Sequence, residues 1–313
     1  MAEARASATV AALLLNFRKP LLTEQALADL LAVADVRVRV LVIDNGSADG
    51  SAARLAGVVA AHRANGRDVE LLELPDNRGF AGAMNEGVAW AREQGLRLVL
   101  LLNNDLRLPA DFLAPMVQVL DNDPRVMATG PTIVRPDGRV WAQGGTLGFH
   151  PNALRLDAQG RAPAPRTAGP EAVDFLPGAC LLARREDLEA VGGLDDGYFM
   201  YWEDVELCRR LRSRGRVVWL PWVQVVHDAG SSSGGARSPL RKFLMAANEV
   251  RHVRRHGTLG QWLGLLVWDV LLWPLSLAGG PGCAIAKLRG LVRGLSSRPI
   301  RAAEVEPYLP RHR

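Results

Sequence analysis

The densest concentration of chemically capable side chains runs from Gly192 to Leu207 and reads GGLDDGYFMYWEDVEL. Four aromatics, Tyr198, Phe199, Tyr201 and Trp202, stand directly ahead of Glu203, Asp204 and Glu206, and Arg209, Arg210, Arg212 and Arg214 follow. A helix start with acids in its first turn and bases behind them complements the helix dipole, which accounts for Glu206 and the arginines. It does not account for aromatic faces beside two adjacent carboxylates. Such faces suit a cleft that stacks on a sugar, and a carboxylate there can take a hydroxyl proton. Adjacent helix residues point about 100° apart, so only one of Glu203 and Asp204 faces a substrate.

Three further segments end apolar runs in polar residues. The run 98–102 stops at Asn103-Asn104-Asp105, and a carboxylate with an Asn two residues earlier suits a hard divalent cation that also bridges diphosphate oxygens. A strand-to-loop turn closed by Asn and Asp reads equally well. His227 ends the run 223–226 and precedes Asp228 and the small residues to Ser233. Beside Asp105 it completes a metal shell, and alone it is a structural histidine. Asp44-Asn45-Gly46-Ser47 ends the run 37–43, where an Asp holds a ribose hydroxyl or a base N–H or simply closes an Asx-turn or caps a helix. The stretch from Asn77 through Arg78 to Asn85 passes from loop to helix, so that backbone N–H groups and Arg78 can face an anion, or it is an ordinary capped helix. The glycine spacing is not GxGxxG, which disfavours a dinucleotide-binding enzyme.

These polar ends need elements to position them. Strands are expected over 10–15, 37–43, 69–74 and 96–102, with helices over 21–34, 51–61 and 81–94 between them. That alternation predicts an α/β fold with a mainly parallel, doubly wound sheet and helices on both faces. Ligands then lie beyond the carboxyl ends of the strands, where Asp44 and Asp105 stand. A long surface loop is expected over 151–172, a strand over 173–183, helices over 186–191 and 202–213, and strands over 217–220 and 223–226. The 313 residues are 48% apolar with 31 Gly and 19 Pro, which excludes a disordered or collagen-like chain. Three cysteines, Cys180, Cys208 and Cys283, make neither a disulfide framework nor a zinc ribbon and fit a reducing compartment. The amino-terminal apolar stretch reads as a first strand, without an export signal.

Taken in order, these segments resemble family 2 glycosyltransferases of the inverting GT-A class, in their rhamnosyltransferase-like branch. The pieces are the first strand ending at Asn16, VLVIDNGSADGS, NRGFAGAMNEGVAWA, LVLLLNNDLRLP, PGACLLARRE, GGLDDGYFMYWEDVELCRRLRSRG and His227, together spanning about residues 8–235. The resemblance implies that Asn16, Asp44 and Asn85 hold the nucleotide, with Asn45, Arg78 and Asn103 lining the same site. It implies that Asp105 ends a DXD-type motif binding Mg²⁺ or Mn²⁺, that His227 joins the metal or diphosphate, and that Asp204 is the catalytic base with Glu203 as runner-up. Tyr198, Tyr201 and Trp202 are then expected against the acceptor or sugar. Asn103 stands where the motif has its first Asp, as it often does in this branch. The QxxRW motif of processive synthases is missing, against cellulose-type polymerisation. The donor implied is a nucleotide-diphosphate sugar, dTDP-L-rhamnose by branch, and the acceptor a hydroxyl of a glycan or lipid-linked sugar in cell-surface polysaccharide synthesis.

Charge divides the chain. Residues 241–313 carry 12 basic and 4 acidic side chains, against 26 and 29 before them. The companions of that basic excess are Trp262, Trp268, Trp273 and many leucines, which suit an anionic membrane interface or a helical hairpin packed on the body or on a second subunit. No nucleic-acid motif accompanies them. Asp269 and Pro274 interrupt the apolar run, and an Asp at mid-bilayer costs about 2.5–3.5 kcal/mol on insertion scales, which argues against a span. The division expected is 1–130 for the nucleotide-sugar half, 131–240 for the acceptor and catalytic half, and 241–313 for a basic, apolar helical tail. The place expected is the cytoplasmic, inner face of the cell membrane. Two rivals are a sugar-nucleotide-binding protein without turnover, which has no need of Asp204 and Asp105 together, and a nucleotidyltransferase, whose Gly-rich, basic amino-terminal signature LLLNFRKPLLTEQ lacks.

Overall fold

Short apolar runs alternating with amphipathic ones build a sheet covered by helices. The computed structural model describes residues 9–148, 153–164, 169–227 and 238–309. In it β1 (Thr9–Asn16), α1 (Pro20–Leu31), β2 (Arg37–Asp44), α2 (Ser51–Ala64), β3 (Val69–Glu73), α3 (Gly79–Glu93) and β4 (Leu98–Asn103) alternate. There follow β5 (Leu106–Arg107), α4 (Leu113–Asn122), β6 (Val126–Val134), β7 (Val140–Ala142) and a hairpin of β8 (Gly145–Leu147) with β9 (Leu154–Leu156). After β10 (Glu171–Ala172) come β11 (Cys180–Arg184), α5 (Arg185–Ala190), α6 (Glu203–Arg212), β12 (Arg216–His227), α7 (Pro239–His256), α8 (Leu259–Leu265), α9 (Pro281–Gly294) and α10 (Ala302–Val305).

The main sheet runs β10-β12-β6-β11-β4-β1-β2-β3. Pairings β1/β2, β1/β4, β2/β3 and β6/β12 are parallel, and β11 enters antiparallel between β4 and β6. Alternation along β1 feeds two cores: Val10, Ala12 and Leu14 pack with α1 and α4, while Ala11 and Leu13 pack with α3 and, beyond it, α6, as a strand period of two requires. Register then lines up the polar ends. Asn16 lies opposite Asp44, Leu15 opposite Asn103, and His227 opposite Leu106.

Several expected elements differ. The strand expected over 173–183 survives only as Glu171–Ala172 and Cys180–Arg184, because Pro177-Gly178 breaks the ladder with a residue that lacks an N–H. The two strands at 217–220 and 223–226 are one strand, β12, whose register jumps from Leu220↔Pro131 to Gln224↔Thr132, so the chain bulges at Pro221. Part of the loop 151–172 is β9, and 149–152 and 165–168 lie outside the described residues. So do residues 1–8, on which the expectation about an export signal rests, and the small residues after His227. The division at residue 130 falls inside β6, so both halves share one sheet.

Helix α7 is part of the body. Leu244, Asn248 and Val253 are buried, and α9 lies along the helix so closely that a Cβ on Gly290 would stand 2.3 Å from the Phe243 carbonyl oxygen. Between them, residues 259–279 leave Leu259, Leu263, Leu271, Leu275 and Leu277 more than half exposed. No single helix is long and apolar enough to cross a membrane among the described residues, although Leu259–Leu271 with Trp273–Gly279, bent by 51°, passes by composition as a pair.

Candidate active site

At the carboxyl ends of β1 and β2 a buried polar network closes on itself. Asn16 Nδ2 donates to Asp44 Oδ1 at 2.6 Å, and Asn16 Oδ1 accepts from Thr23 Oγ1 at 2.8 Å. Ser47 donates to Asp44 twice, from Oγ at 2.6 Å and from its backbone N–H at 3.1 Å. Asn104 Nδ2 donates to Thr23 Oγ1 at 2.9 Å, tying β4 to the same knot. Asp44 is thus the Asx-type closure of its turn, and only 2% of it is exposed. Asn45 holds the neighbouring loop, donating to Asn77 Oδ1 and the Gly79 carbonyl and accepting from the Arg78 N–H. Such a network stiffens a sheet edge and leaves Arg78 above it. The Arg78 guanidinium pairs with Glu86 at 2.5 Å and Asp76 at 3.5 Å on the surface, pairs of a kind that contribute little and exchange readily.

The short antiparallel ladder of β5 with β12 brings Asp105 and His227 together. His227 Nε2 lies 3.0 Å from Asp105 Oδ1, and both side chains are buried. Trp141 packs edge-on against the imidazole, its centroid 4.5 Å away. His227 Nδ1 is buried with no hydrogen-bond partner among the described residues. The imidazole Nε2 beside the buried Asp105 carboxylate is a donor pair that fits Mg²⁺ or Mn²⁺ if further ligands come from water and diphosphate.

The two adjacent acids separate as helix geometry requires. Asp204 is half-buried; its Oδ2 accepts from the Gly178 N–H at 3.0 Å and its Oδ1 from the Val205 N–H at 2.8 Å. Burial raises its proton affinity above that of an ordinary Asp, against the opposing pull of those N–H groups. Glu203 turns inward, 5% exposed, with Oε2 unpartnered among the described residues. Burial, then the charge of Asp204, pushes its carboxyl well up, as desolvation of a carboxylate in the core requires. The loop that holds Asp204 also touches β4, since Asn103 N–H donates to the Ala179 carbonyl at 2.9 Å. The dipeptide Gly178-Ala179 therefore sets the acid of α6 beside the end of β4, which leads into Asp105.

The turn entering α6 is held under strain. Phe199, Tyr201 and Trp202 have φ of 65°, 66° and 73°, unfavourable for bulky side chains. Asn248, fully buried on α7, donates from Nδ2 to the carbonyls of Tyr198, Met200 and Tyr201 at 2.8–3.0 Å. The Phe199 carbonyl accepts from the Phe80 N–H at 2.7 Å, an approach open only because Gly79 has no Cβ.

Two expectations need correction. Tyr198 and Trp202 are 0% and 1% exposed and form core rather than an open aromatic wall, because the strained turn folds their rings inward; Tyr201 alone of the three keeps partial exposure. Asn85 lies in the second turn of α3, and its amide is engaged with the Leu194 backbone in both directions, at 2.8 and 2.9 Å, so it pins the loop ahead of α6 instead of facing a ligand. Sequence reasoning missed Thr23, Ser47, Gly178 and Asn248, whose roles depend on contacts far along the chain. It also missed the cluster of Glu206 with His252 and His256, although the i, i+4 histidine spacing stood in the sequence. The two imidazoles outweigh the upward push of burial on Glu206 and hold its carboxyl down at about 2.

The family model "Glycosyl transferase family 2" matches residues 16–192. The N-acetylglucosaminyl-diphospho-decaprenol L-rhamnosyltransferase of Mycobacterium tuberculosis is 30% identical over 275 residues, 79% of this chain and 84% of that protein. The dTDP-rhamnosyl transferase RfbF of Shigella flexneri is 24% identical over 228 residues, 69% of this chain and 71% of that one. Among solved structures, GalNAc-T7 with UDP, GalNAc and Mn²⁺ superposes with a TM-score of 0.63 at 16% identity, covering 92% of this chain; the chain spans about half, 54%, of that protein. A match that takes in the sheet edge carrying Asn16, Asp44 and Asp105, together with a relative aligned along most of both lengths, places the chain in glycosyl transferase family 2, as a rhamnosyltransferase-like member with the GT-A fold.

Proposed function

We propose that this transferase moves L-rhamnose from dTDP-L-rhamnose to a hydroxyl of a lipid-linked or glycan acceptor, with inversion at the anomeric carbon. The observation that carries the reading is Asp204, half-buried beside the strand end of Asp105, with both oxygens fixed by backbone N–H groups and its proton affinity raised. Its carboxylate takes the acceptor proton as the new C–O bond forms, and the bond to the diphosphate breaks with its electron pair leaving on the phosphate oxygen. A base so placed contributes about 10²–10⁴ in rate. Asp105 and His227 would hold Mg²⁺ or Mn²⁺, which supplies positive charge against the departing diphosphate. Asp44 and Asn45 form the rigid floor on which the nucleotide sits, and Arg78 can release its surface acids to reach the diphosphate. Tyr201 borders the acceptor.

The rhamnosyltransferase names of two relatives, one of them acting on a decaprenyl-linked sugar, support donor and acceptor. The exposed leucines of 259–277 and the basic excess around them support docking on the inner face of the cell membrane, where a lipid-linked acceptor is presented. Turnover of Asp204→Asn tests the mechanism: the change preserves size and one of the two hydrogen bonds accepted from the Gly178 and Val205 N–H groups but cannot accept a proton, so kcat falls by about 100-fold or more while donor affinity holds. Near-normal turnover, or retained anomeric configuration in the product, removes it.

A further inference from the structure

Glu206 of α6 faces two histidines from α7. His252 and His256 are one helical turn apart and therefore share a face. Glu206 Oε2 lies 3.2 Å from His252 Nδ1 and 3.0 Å from His256 Nε2, and one donor atom from each of the three residues falls within 4.8 Å of the others. His252 and Glu206 are both more than nine-tenths buried. His252 Nδ1 nevertheless has no aligned hydrogen-bond partner among the described residues: it stands 3.2 Å from the carboxylate without the alignment a hydrogen bond requires. A buried imidazole nitrogen aimed into a carboxylate, and lacking a proper partner, is the arrangement an ion completes.

We propose that Glu206, His252 and His256 form a second metal site, for Zn²⁺, distinct from the Asp105–His227 pair. Two imidazoles and one carboxylate suit a borderline-soft ion better than Mg²⁺. Donors around a tetrahedral Zn²⁺ stand roughly 3.3 Å apart, given Zn–N and Zn–O lengths of about 2.0–2.2 Å. The carboxylate-to-imidazole separations already match that edge, and only the imidazoles must close on each other. The fourth position opens on a cavity of about 500 Å³ bordered by Gly192, Leu194, Asp195 and Asp196, which admits water. Charge around the cluster is balanced rather than repulsive. Arg210 lies 3.7 Å from Glu206 and donates to the Val191 carbonyl, while Arg255 is paired with Asp195.

The ion would rivet α6 to α7 two residues beyond Asp204, and α7 also carries Asn248, so it fixes the helix that presents the base. Glu206, His252 and His256 are positioning residues, since none faces the Asp204 carboxylate.

The test uses the full chain, freed of metal by chelation, with Asp105→Ala as background so that the other pair is silent. Zn²⁺ titration followed by calorimetry and thermal shift should give one equivalent bound with a rise in Tm. His256→Gln, a half-exposed position, should weaken that binding by at least about 100-fold, the upper end of what losing even an outer-shell partner costs. Co²⁺ in the unsubstituted histidine cluster provides a readout independent of any variant at the site. An intense visible band marks low-coordinate nitrogen ligation. No Zn²⁺ equivalent in Asp105→Ala, unchanged affinity and Tm rise in His256→Gln, or only the weak spectrum of six-coordinate, all-oxygen Co²⁺ would each overturn the site.

Discussion

Asn248 offers the sharpest test of how the turn before α6 is held. Its Nδ2 has two hydrogens facing three carbonyl oxygens, those of Tyr198, Met200 and Tyr201, and the side chain is fully buried. The three left-handed residues it braces store strain of roughly 1–2 kcal/mol each. Asn248→Ala removes two net hydrogen bonds at about 1 kcal/mol apiece and strands buried carbonyls at about 1–3 kcal/mol, for a loss near 3 kcal/mol. Asn248→Asp keeps the shape but puts a carboxylate against three carbonyl oxygens with no hydrogen to offer. It should cost more than the alanine, by about 1 kcal/mol or more, because a buried group facing only acceptors is worse than an empty one. Urea unfolding reads both variants, with an unchanged m-value certifying that stability alone has moved. kcat/KM should fall in parallel, since Asp204 begins the helix this turn feeds. An Asn248→Asp protein within about 1 kcal/mol of wild type, or more stable than the alanine variant, would refute the reasoning.

Other expectations are independent of that one. Asp105→Ala should lose Mn²⁺-dependent tightening of nucleotide binding, and turnover undiminished in EDTA would count against the metal pair. Leu271→Glu with Leu275→Glu should reduce flotation with anionic vesicles while leaving the fold intact, and the wild-type association should weaken with salt over a Debye length of about 8 Å; a full-length chain that ignores vesicles and sediments as a dimer would reassign the surface to self-association. Glu249 keeps its proton to about pH 8, because burial and then the facing Asp269 raise it from an ordinary 4.5. The unfolded chain releases that proton near 4.5, so the contribution of Glu249 to stability is full below that pH and declines as pH rises towards 8, by a few kcal/mol at most. Glu249→Gln should flatten this slope in pH-dependent urea midpoints, and an unchanged slope would acquit Glu249.

The sequence made the β4-β1-β2-β3 half of the sheet legible because β1, β2 and β4 are short apolar runs ending in Asn16, Asp44 and Asn103, where period and polarity change together. It pointed to Asp105, His227 and Asp204 for the same reason: each sits where a strand or helix begins or ends. It misjudged Tyr198 and Trp202, since the direction of their rings is set by the left-handed turn through Phe199, Tyr201 and Trp202, and such a turn built without glycine leaves no compositional trace. Asn85 and Asn248 look alike in one dimension; only contacts 109 and about fifty residues along the chain assign both to bracing. The strand β11 was legible as part of the run 173–183, but its antiparallel place between β4 and β6, strands far apart in sequence, had no local signal.

The pairing of β5 with β12 also has a consequence in time. Asp105 and His227 are 122 residues apart, and closing a loop of that length costs about 4 kcal/mol of chain entropy. During synthesis at about 5–20 residues per second, the carboxylate leaves the ribosome roughly 6 to 24 seconds before its imidazole exists. Strands β1 to β4 and the polar knot at their carboxyl ends can assemble in that interval from neighbours in sequence, whereas β5, two residues long, has nothing to pair with until β12 arrives. The Asp105–His227 pair is therefore completed only when the last strand of the sheet is laid, after the polar knot at the ends of β1 and β2 can already have closed.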